Sequence, residues 1–439
     1  MDFALNEEQT EFKDYCRRFA AEVMRPAAPK HDAEESVPWE VIREARKRGL
    51  HGLDHIQRLG SDSDGQFSVI YAEELHWGCA GIALAISASS LAAAGLASSG
   101  TPEQIAQWVP RCFGTDDEIK LGAYAVTEAG AGSDVKSLRT TAKLDGDEWV
   151  LNGTKVFISN GGIADVHVVV ATVDPDLGHR GQASFVIPKG TPGLRQGKKE
   201  TKIGIRASHT AEIVLEDCRI PVENLLGGMD KLNKKLERAR SGQKSGASGA
   251  LATFEMTRPV VGASALGIAQ AAYEWTLGHL ADRTVDGGRP ALSEQRVQQV
   301  LADVATEIDA ARLLVQRASW MGRNGQPMTG GQGSMSKLKA GDVTMWATTT
   351  LMDLVGPYAQ STECPLEKWF RDAKIYQIFE GTAQVQRLVI SRMQAREYEE
   401  RLAAAAEVAK AVSGAGANGA SSNGASEAGR TDGRERAAA

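Results

Sequence analysis

Three regimes of hydrophobic patterning follow one another along the chain. From Glu7 onward apolar residues recur every three or four positions, with Phe12, Tyr15, Phe19 and Val23 on one face. That spacing predicts an amphipathic helix, which Pro26 and Pro29 should end. A second helix is predicted from Pro38 to Arg48 with Gly49 as its stop, and two more over 67–77 and the Ala/Ser-rich stretch 79–99. Near Lys120 the period shifts to strand alternation, in runs at 122–127, 139–144, 149–151, 166–171, 183–187 and 210–215. Asp145-Gly146-Asp147 and Asn152-Gly153 read as turns between such runs, so a compact antiparallel β-domain is expected. After Pro221 the helical period returns, and runs at 258–282, 293–324, 333–355 and 382–411 have the lengths of a four-helix bundle.

The predicted architecture is mainly α with a central β-domain. An N-terminal helical domain spans 1–118, a middle β-domain 119–228, a basic insertion 229–249 and a C-terminal helical bundle 250–412. The Gly/Ala/Ser/Asn-rich stretch 413–439 reads as a disordered tail.

Composition narrows the function classes. The net charge of −6 gives no basic field for nucleic acid. No uninterrupted apolar run approaches the ~20 residues of a membrane span. The opening Met1-Asp-Phe-Ala-Leu-Asn-Glu-Glu8 lacks the marks of a secretion signal or transit peptide, so a cytoplasmic location is expected. Five cysteines with no Cys-x-x-Cys pair argue against disulfides and against a metal site, and for small buried side chains in a reducing compartment.

Two constellations carry candidate chemistry. Tyr124-Ala-Val126-Thr127-Glu128-Ala-Gly130-Ala-Gly132-Ser133-Asp134 leaves a strand for a Gly-rich turn, where backbone N–H groups can approach a ligand. The spacing is not a dinucleotide fingerprint, and plain turn geometry explains it equally well. Lys155-Val-Phe157-Ile158-Ser159-Asn-Gly-Gly162 is a second strand end, whose Phe157 is either core or a platform for a flat ring. Glu380, among Ile378, Phe379 and Gly381, has the apolar setting that raises a carboxyl pKa toward that of a useful base. Taken alone it is more simply an exposed helix cap.

Thr127-Glu128 through Asp134 and the segment Arg371–Gln384 around Glu380 resemble the signature motifs of the acyl-CoA dehydrogenase family. Phe254–Pro259 and the runs 262–270 and 301–313 resemble it in the same order, and the resemblance covers about residues 3–400. It implies FAD as cofactor and a homotetramer or homodimer. It also implies α,β-dehydrogenation of an acyl-CoA to a trans-2-enoyl-CoA, as in the β-oxidation of fatty acid metabolism, with electrons passed to an electron-transfer flavoprotein. Residue by residue, Tyr124, Val126, Thr127, Ser133, Phe157, Ile158 and Ser159 would surround the isoalloxazine, with Thr127 and Ser159 bonding it. Arg283 and Gln295 match positions that reach FAD, typically in a neighbouring subunit, while Asp353, Gly356, Thr382 and Gln384 match further cofactor contacts. Ser133, Glu255 and Arg258 match residues along the CoA chain, and Gly381 lies beside the thioester. Some relatives carry the base on the helix that includes Arg258, but the matching position is Thr257, not Glu255, so Glu380 is the base.

The chain departs from the family pattern in four places. Asp353-Leu-Val-Gly356-Pro357 has a proline where a glycine is usual, and Val285-Asp286-Gly287 follows Arg283 in place of Phe-Gly. The loop expected near Asp54–Ser63 lacks its usual Pro-Glu-x-x-Gly-Gly. The insertion gathers Lys231, Lys234, Lys235, Arg238, Arg240 and Lys244, as a solvated surface segment or a contact for CoA phosphates or a carrier protein. Small residues at Ala83 and Ser87 predict room for a long or bulky acyl group. Two other readings stay open: a partner subunit of a hetero-oligomer with an altered FAD site, and an acyl-CoA oxidase-like activity.

Overall fold

The computed structural model describes residues 4–242, 249–285 and 287–418. It divides into a main body, Met1–Ile390, and a second unit, Ser391–Ala439.

The N-terminal part of the main body is helical: α1 (Glu7–Phe19), α2 (Arg25–Glu34), α3 (Trp39–Lys47), α4 (Leu53–Ser61), α5 (Gln66–Gly78), α6 (Ala80–Ser87), α7 (Ser89–Ser99) and α8 (Pro102–Trp108). A capping box starts α1, Asn6 and Gln9 satisfying each other's backbone N–H groups. Phe12 and Phe19 are buried on the expected face, with Tyr15 and Val23 packed beside them. Pro26 and Pro29 do not end this run. A π-helical turn at Ala20–Met24 widens the helix, and Arg25 N–H donates to Ala20 O, five residues back. Pro26 then falls in the first turn of α2, where no N–H is required. The stretch expected to be a loop near Asp54–Ser63 is mostly α4, and Asp62 after it accepts from the N–H groups of Gln66 and Phe67 to start α5. Residues Ala80–Ser99 do have the length and apolarity of a membrane span, contrary to the sequence estimate. They break into two helices at Ala88, and most of them are buried in the fold.

The strands are β1 (Gly122–Ala125), β2 (Thr141–Asp145), β3 (Glu148–Ser159), β4 (Val166–Thr172), β5 (Gln182–Pro188), β6 (Leu194–Lys199) and β7 (Thr210–Pro221). The sheet order is β1-β4-β2-β3-β7-β6, with β5 also on β4. The sheet is mixed rather than antiparallel, because the chain leaves β1, makes the β2–β3 hairpin and returns at β4 parallel to β1. Asp145-Gly146-Asp147 is the hairpin turn as expected. Asn152-Gly153 is instead a bulge inside β3, where the pairing with β7 slips between Leu151 and Gly153. The strand β6 escaped the sequence reading because its Arg-Gln-Gly-Lys-Lys run is polar and lies at the sheet edge.

The basic insertion opens with α9 (Gly228–Arg240); Lys244 lies outside the described residues. Then come α10 (Gly249–Asp282), the short pair β8 (Thr284–Val285) and β9 (Arg289–Pro290), α11 (Gln295–Arg323), α12 (Gln332–Val355), α13 (Pro365–Ala373) and α14 (Ala383–Asn418). One apolar core joins the N-terminal helices to the bundle, and a second fills the sheet. Gly267 of α10 lets that helix meet the backbone of α5 at Glu73, where any side chain would collide. All five cysteines are unbridged and buried. In the second unit α14 continues to Asn418, with Arg396–Glu400 and Glu397–Arg401 pairs one turn apart, and 419–439 lie outside the described residues.

Candidate active site

Two strand ends form one rim of the site. Asn160 Nδ2 donates to Gly122 O at 3.1 Å and Val156 N–H to Thr127 O at 2.9 Å, so the ends of β1 and β3 lie side by side. Under them Lys155, fully buried, donates to Val126 O at 2.9 Å and to Glu128 Oε1 at 2.8 Å. Glu128 also accepts from the N–H groups of Arg139 and Thr140, at 2.7 and 2.9 Å. Its carboxyl stays below the ordinary range: burial opposes this, but the bonds from Lys155 and Thr140 outweigh it. The Gly-rich turn is thus stapled by an internal ion pair, while Gly130 and Gly132 face open space and Ser133 is exposed.

On this rim the side chains of Val126 and Ile158 are core, so only their backbones face a ligand. Thr127 and Ser159 are partly exposed. Phe157 adopts φ 58° and is 64% exposed. A bulky residue in the left-handed region with its ring turned to solvent is a costly placement of the kind found at binding sites. An exposed aromatic face beside hydroxyls and strand-end amides fits the flat, polar-edged isoalloxazine of a flavin.

Glu380 faces this rim from the segment between α13 and α14. Tyr124 is half-buried and its hydroxyl is pushed up, by desolvation first and then by the nearby Glu380 charge. Glu380 and Gly381 have φ of 55° and 93°, a consecutive left-handed pair. Gln386 Nε2 donates to both of their carbonyls, at 3.0 and 3.3 Å, and Lys337 Nζ donates to Gly381 O at 2.8 Å. The Glu380 carboxyl accepts from Thr257 Oγ1 at 2.6 Å. Burial pushes that carboxyl up; the Thr257 bond and the Lys337 and Arg258 charges pull it back in part. The result is a partly exposed carboxylate of raised basicity, not a helix cap. Thr382 takes the capping role, its Oγ1 accepting from Val385 N–H at 3.2 Å. Gln384 is exposed in the first turn of α14. Arg258 is buried and donates to Ser334 Oγ at 3.0 Å; the Glu255 side chain lies outside the described residues.

The remaining candidates gather elsewhere. Arg283 follows α10 and donates to Val355 O at 3.2 Å, which brings it to the end of α12 beside Asp353 and Gly356; Gln295 opens α11. The 1.5 Å helical rise separates the Arg258 and Asp282 ends of α10 by roughly 36 Å. The candidate residues of one chain therefore fall into two well-separated groups. Gly356 keeps a glycine-only conformation (φ 83°, ψ −150°), and Pro357 begins a 3₁₀ turn where its missing N–H is not needed. Asp286 lies outside the described residues.

Lys337, Thr257, Gln386 and the Glu128–Lys155 pair were not among the predicted site residues. Glu128, Lys155 and Thr257 fell within motifs the sequence singled out but without a role, and Lys337 shares a helical face with Ser334, Gly341, Thr344 and Thr348, small residues that mark a buried side.

Three acyl-CoA dehydrogenase domain models match the chain: N-terminal over 6–115, middle over 123–218 and C-terminal over 244–395. The chain is 37% identical over 395 residues to an NADH-dependent acryloyl-CoA reductase of Anaerotignum propionicum, covering 89% of this chain and 95% of that protein. Among solved structures it resembles butyryl-CoA dehydrogenase of Megasphaera elsdenii, with TM-score 0.79 and 34% identity over 89% of this chain and 99% of that one. It also resembles a chain solved in a study of the electron transferring flavoprotein of Acidaminococcus fermentans and flavin-based electron bifurcation, with TM-score 0.78, 35% identity and coverage of 89% and 99%. With its three domains, mixed central sheet and flavin-shaped rim, the chain belongs to the acyl-CoA dehydrogenase family of FAD-dependent oxidoreductases.

Proposed function

We propose that this protein removes the α and β hydrogens of an acyl-CoA thioester, with Glu380 as the base, to give a trans-2-enoyl-CoA. The carrying observation is the Glu380 carboxyl, its basicity raised by burial and its charge close enough to act on Tyr124 of the strand-end rim. Glu380 takes the α-proton on its carboxylate, the α C–H electron pair becomes the new C=C bond, and the β-hydrogen leaves with its pair. Bound FAD supplies the acceptor for that hydride. The Glu380 backbone N–H is the donor expected to polarise the thioester carbonyl. Residues at the Tyr124–Thr127 and Phe157–Ser159 strand ends would hold the flavin ring, and Ser133 and Arg258 would follow the CoA chain. The reverse reduction, the activity named for the acryloyl-CoA relative, would use Glu380 as proton donor.

An electron-transfer flavoprotein is the acceptor we infer, in keeping with the flavoprotein study that contains a similar chain. The test is anaerobic mixing of the flavin-loaded protein with acyl-CoAs of graded length. We expect flavin bleaching by at least one of them and its loss, by about 10³-fold or more in rate, in Glu380→Gln. Full-rate bleaching by that variant would remove Glu380 as the base. Best turnover of a short acyl chain would overturn the expectation drawn from Ala83 and Ser87. Peroxide release under air would favour the oxidase reading instead.

A further inference from the structure

A buried cation stands behind the base. Lys337 lies in α12 with 1% of its surface exposed, which is rare for lysine unless it is paired. Its Nζ donates to Gly381 O at 2.8 Å, the carbonyl next to the reactive carboxyl. One turn earlier on the same helix, Ser334 accepts from the buried Arg258 of α10 at 3.0 Å. Two helices thus bring a cation each toward Glu380. Asp342, on α12 one turn further on, is the other acid near Lys337, and it is held by Arg387 at 2.6 Å and Gln377 at 2.8 Å. Glu380 also accepts from Thr257 Oγ1 at 2.6 Å, and its charge reaches Tyr124.

We propose that Lys337 is the positioning residue for the base: its buried ammonium fixes the Gly381 carbonyl and supplies the charge that keeps Glu380 ionised. This rests on the dehydrogenase reading of Glu380. The left-handed Glu380–Gly381 pair does not hold its shape unaided, and a bond to the Gly381 carbonyl from a rigid helix interior fixes the direction of the carboxyl. The same nitrogen is an electrostatic partner. Burial lowers the Lys337 pKa to about 8, with Glu380 opposing and Arg258 adding to that fall. Below that pH the ammonium favours the Glu380 carboxylate; above it both the charge and the charged hydrogen bond fade.

The experiment is the pH profile of kcat/KM for flavin-loaded wild type, Lys337→Gln and Lys337→Arg, with flavin content and Tm recorded for each. In wild type, kcat/KM should rise as Glu380 ionises and fall as Lys337 loses its proton. Lys337→Gln keeps a donor for Gly381 but no charge. Its acid limb should move to higher pH by about one unit and its alkaline fall should vanish, with kcat down about tenfold and KM little changed. Lys337→Arg should keep the acid limb and carry the alkaline fall past about pH 10. Superimposable wild-type and Lys337→Gln profiles would overturn the proposal. If Lys337→Gln does not fold with flavin, an alkaline fall left in place by Lys337→Arg overturns it, and one carried upward supports it. Loss of the base assignment itself would appear separately, as activity retained by Glu380→Gln.

Discussion

At the scale of single residues, the stability of the flavin-side rim depends on Glu128. This carboxyl is nearly buried and binds one ammonium and two backbone N–H groups. Its folded pKa lies below the unfolded value, so its contribution is fully present above the ordinary carboxylate pKa. It is lost as pH falls through the depressed folded value. Glu128→Gln should therefore cost about 3–5 kcal/mol at pH 7, by leaving the Lys155 ammonium without its anion. It should also shrink the difference in Tm between pH 7 and pH 4; an undiminished difference in a melting series would place the acid sensitivity elsewhere. The sequence offered this glutamate only as part of a motif. Its partner Lys155 is 27 residues away, and nothing in a local pattern distinguishes a lysine facing a buried acid from one in water. Glu380 was legible for a different reason, since ordered motifs singled it out. Its local setting alone read as a helix cap, a role that falls to Thr382 two residues later.

At the scale of elements, periodicity found the long helices and six of the seven strands of the main sheet, but not α2, α4, α8, α13 or β6, which are short or begin at a proline or a polar edge. Asn152-Gly153 has the composition of a hairpin turn, yet Asn152 exchanges two hydrogen bonds with Asp217 of β7, at 2.8 and 3.1 Å, and turns the pair into a bulge. Gly153 there has φ 150°, and a Cβ on it would stand 2.5 Å from Thr140 Oγ1. Gly153→Ala should lower stability by about 1–3 kcal/mol, read as a lower urea midpoint. An unchanged midpoint would mean that β3 re-registers without strain. The helix α9 invites a second test. Lys231 and Lys235 donate to Ser99 O and Gln182 O, and Arg240 pairs with Asp174 at 2.8 Å, so one of its cations ties the helix to the end of α7 and two tie it to the β-domain. Their replacement by Met should lower Tm, whereas the Michaelis constant and its salt dependence should hold steady. A KM that rises and loses its salt dependence would instead assign these cations to CoA phosphates.

At the scale of the whole molecule, the decisive fact is the length of α10. Glu380, Thr257 and the flavin rim lie toward one end of that helix, and Arg283, Gln295, Asp353 and Gly356 lie at the other, roughly 36 Å away. FAD cannot draw on both groups from one chain unless it spans that length, so a second copy is the economical source of the distal group, in keeping with the homodimer or homotetramer expected from the family resemblance. The family resemblance assigned Arg283 and Gln295 to a neighbouring subunit's FAD but left Asp353 and Gly356 with Thr382 and Gln384, because motif order carries no distances. A mixing experiment separates them. Glu380→Gln destroys the base, and Arg283→Ala weakens the distal group; each homo-oligomer should be poorly active. Where the two variants reassociate as pairs, the Arg283→Ala chain supplies an intact base and its neighbour an intact distal group, which restores one site per mixed pair. With random pairing the mixture should reach about one quarter of wild-type activity. A mixture no more active than the mean of its components would place both groups in the service of separate sites within each chain.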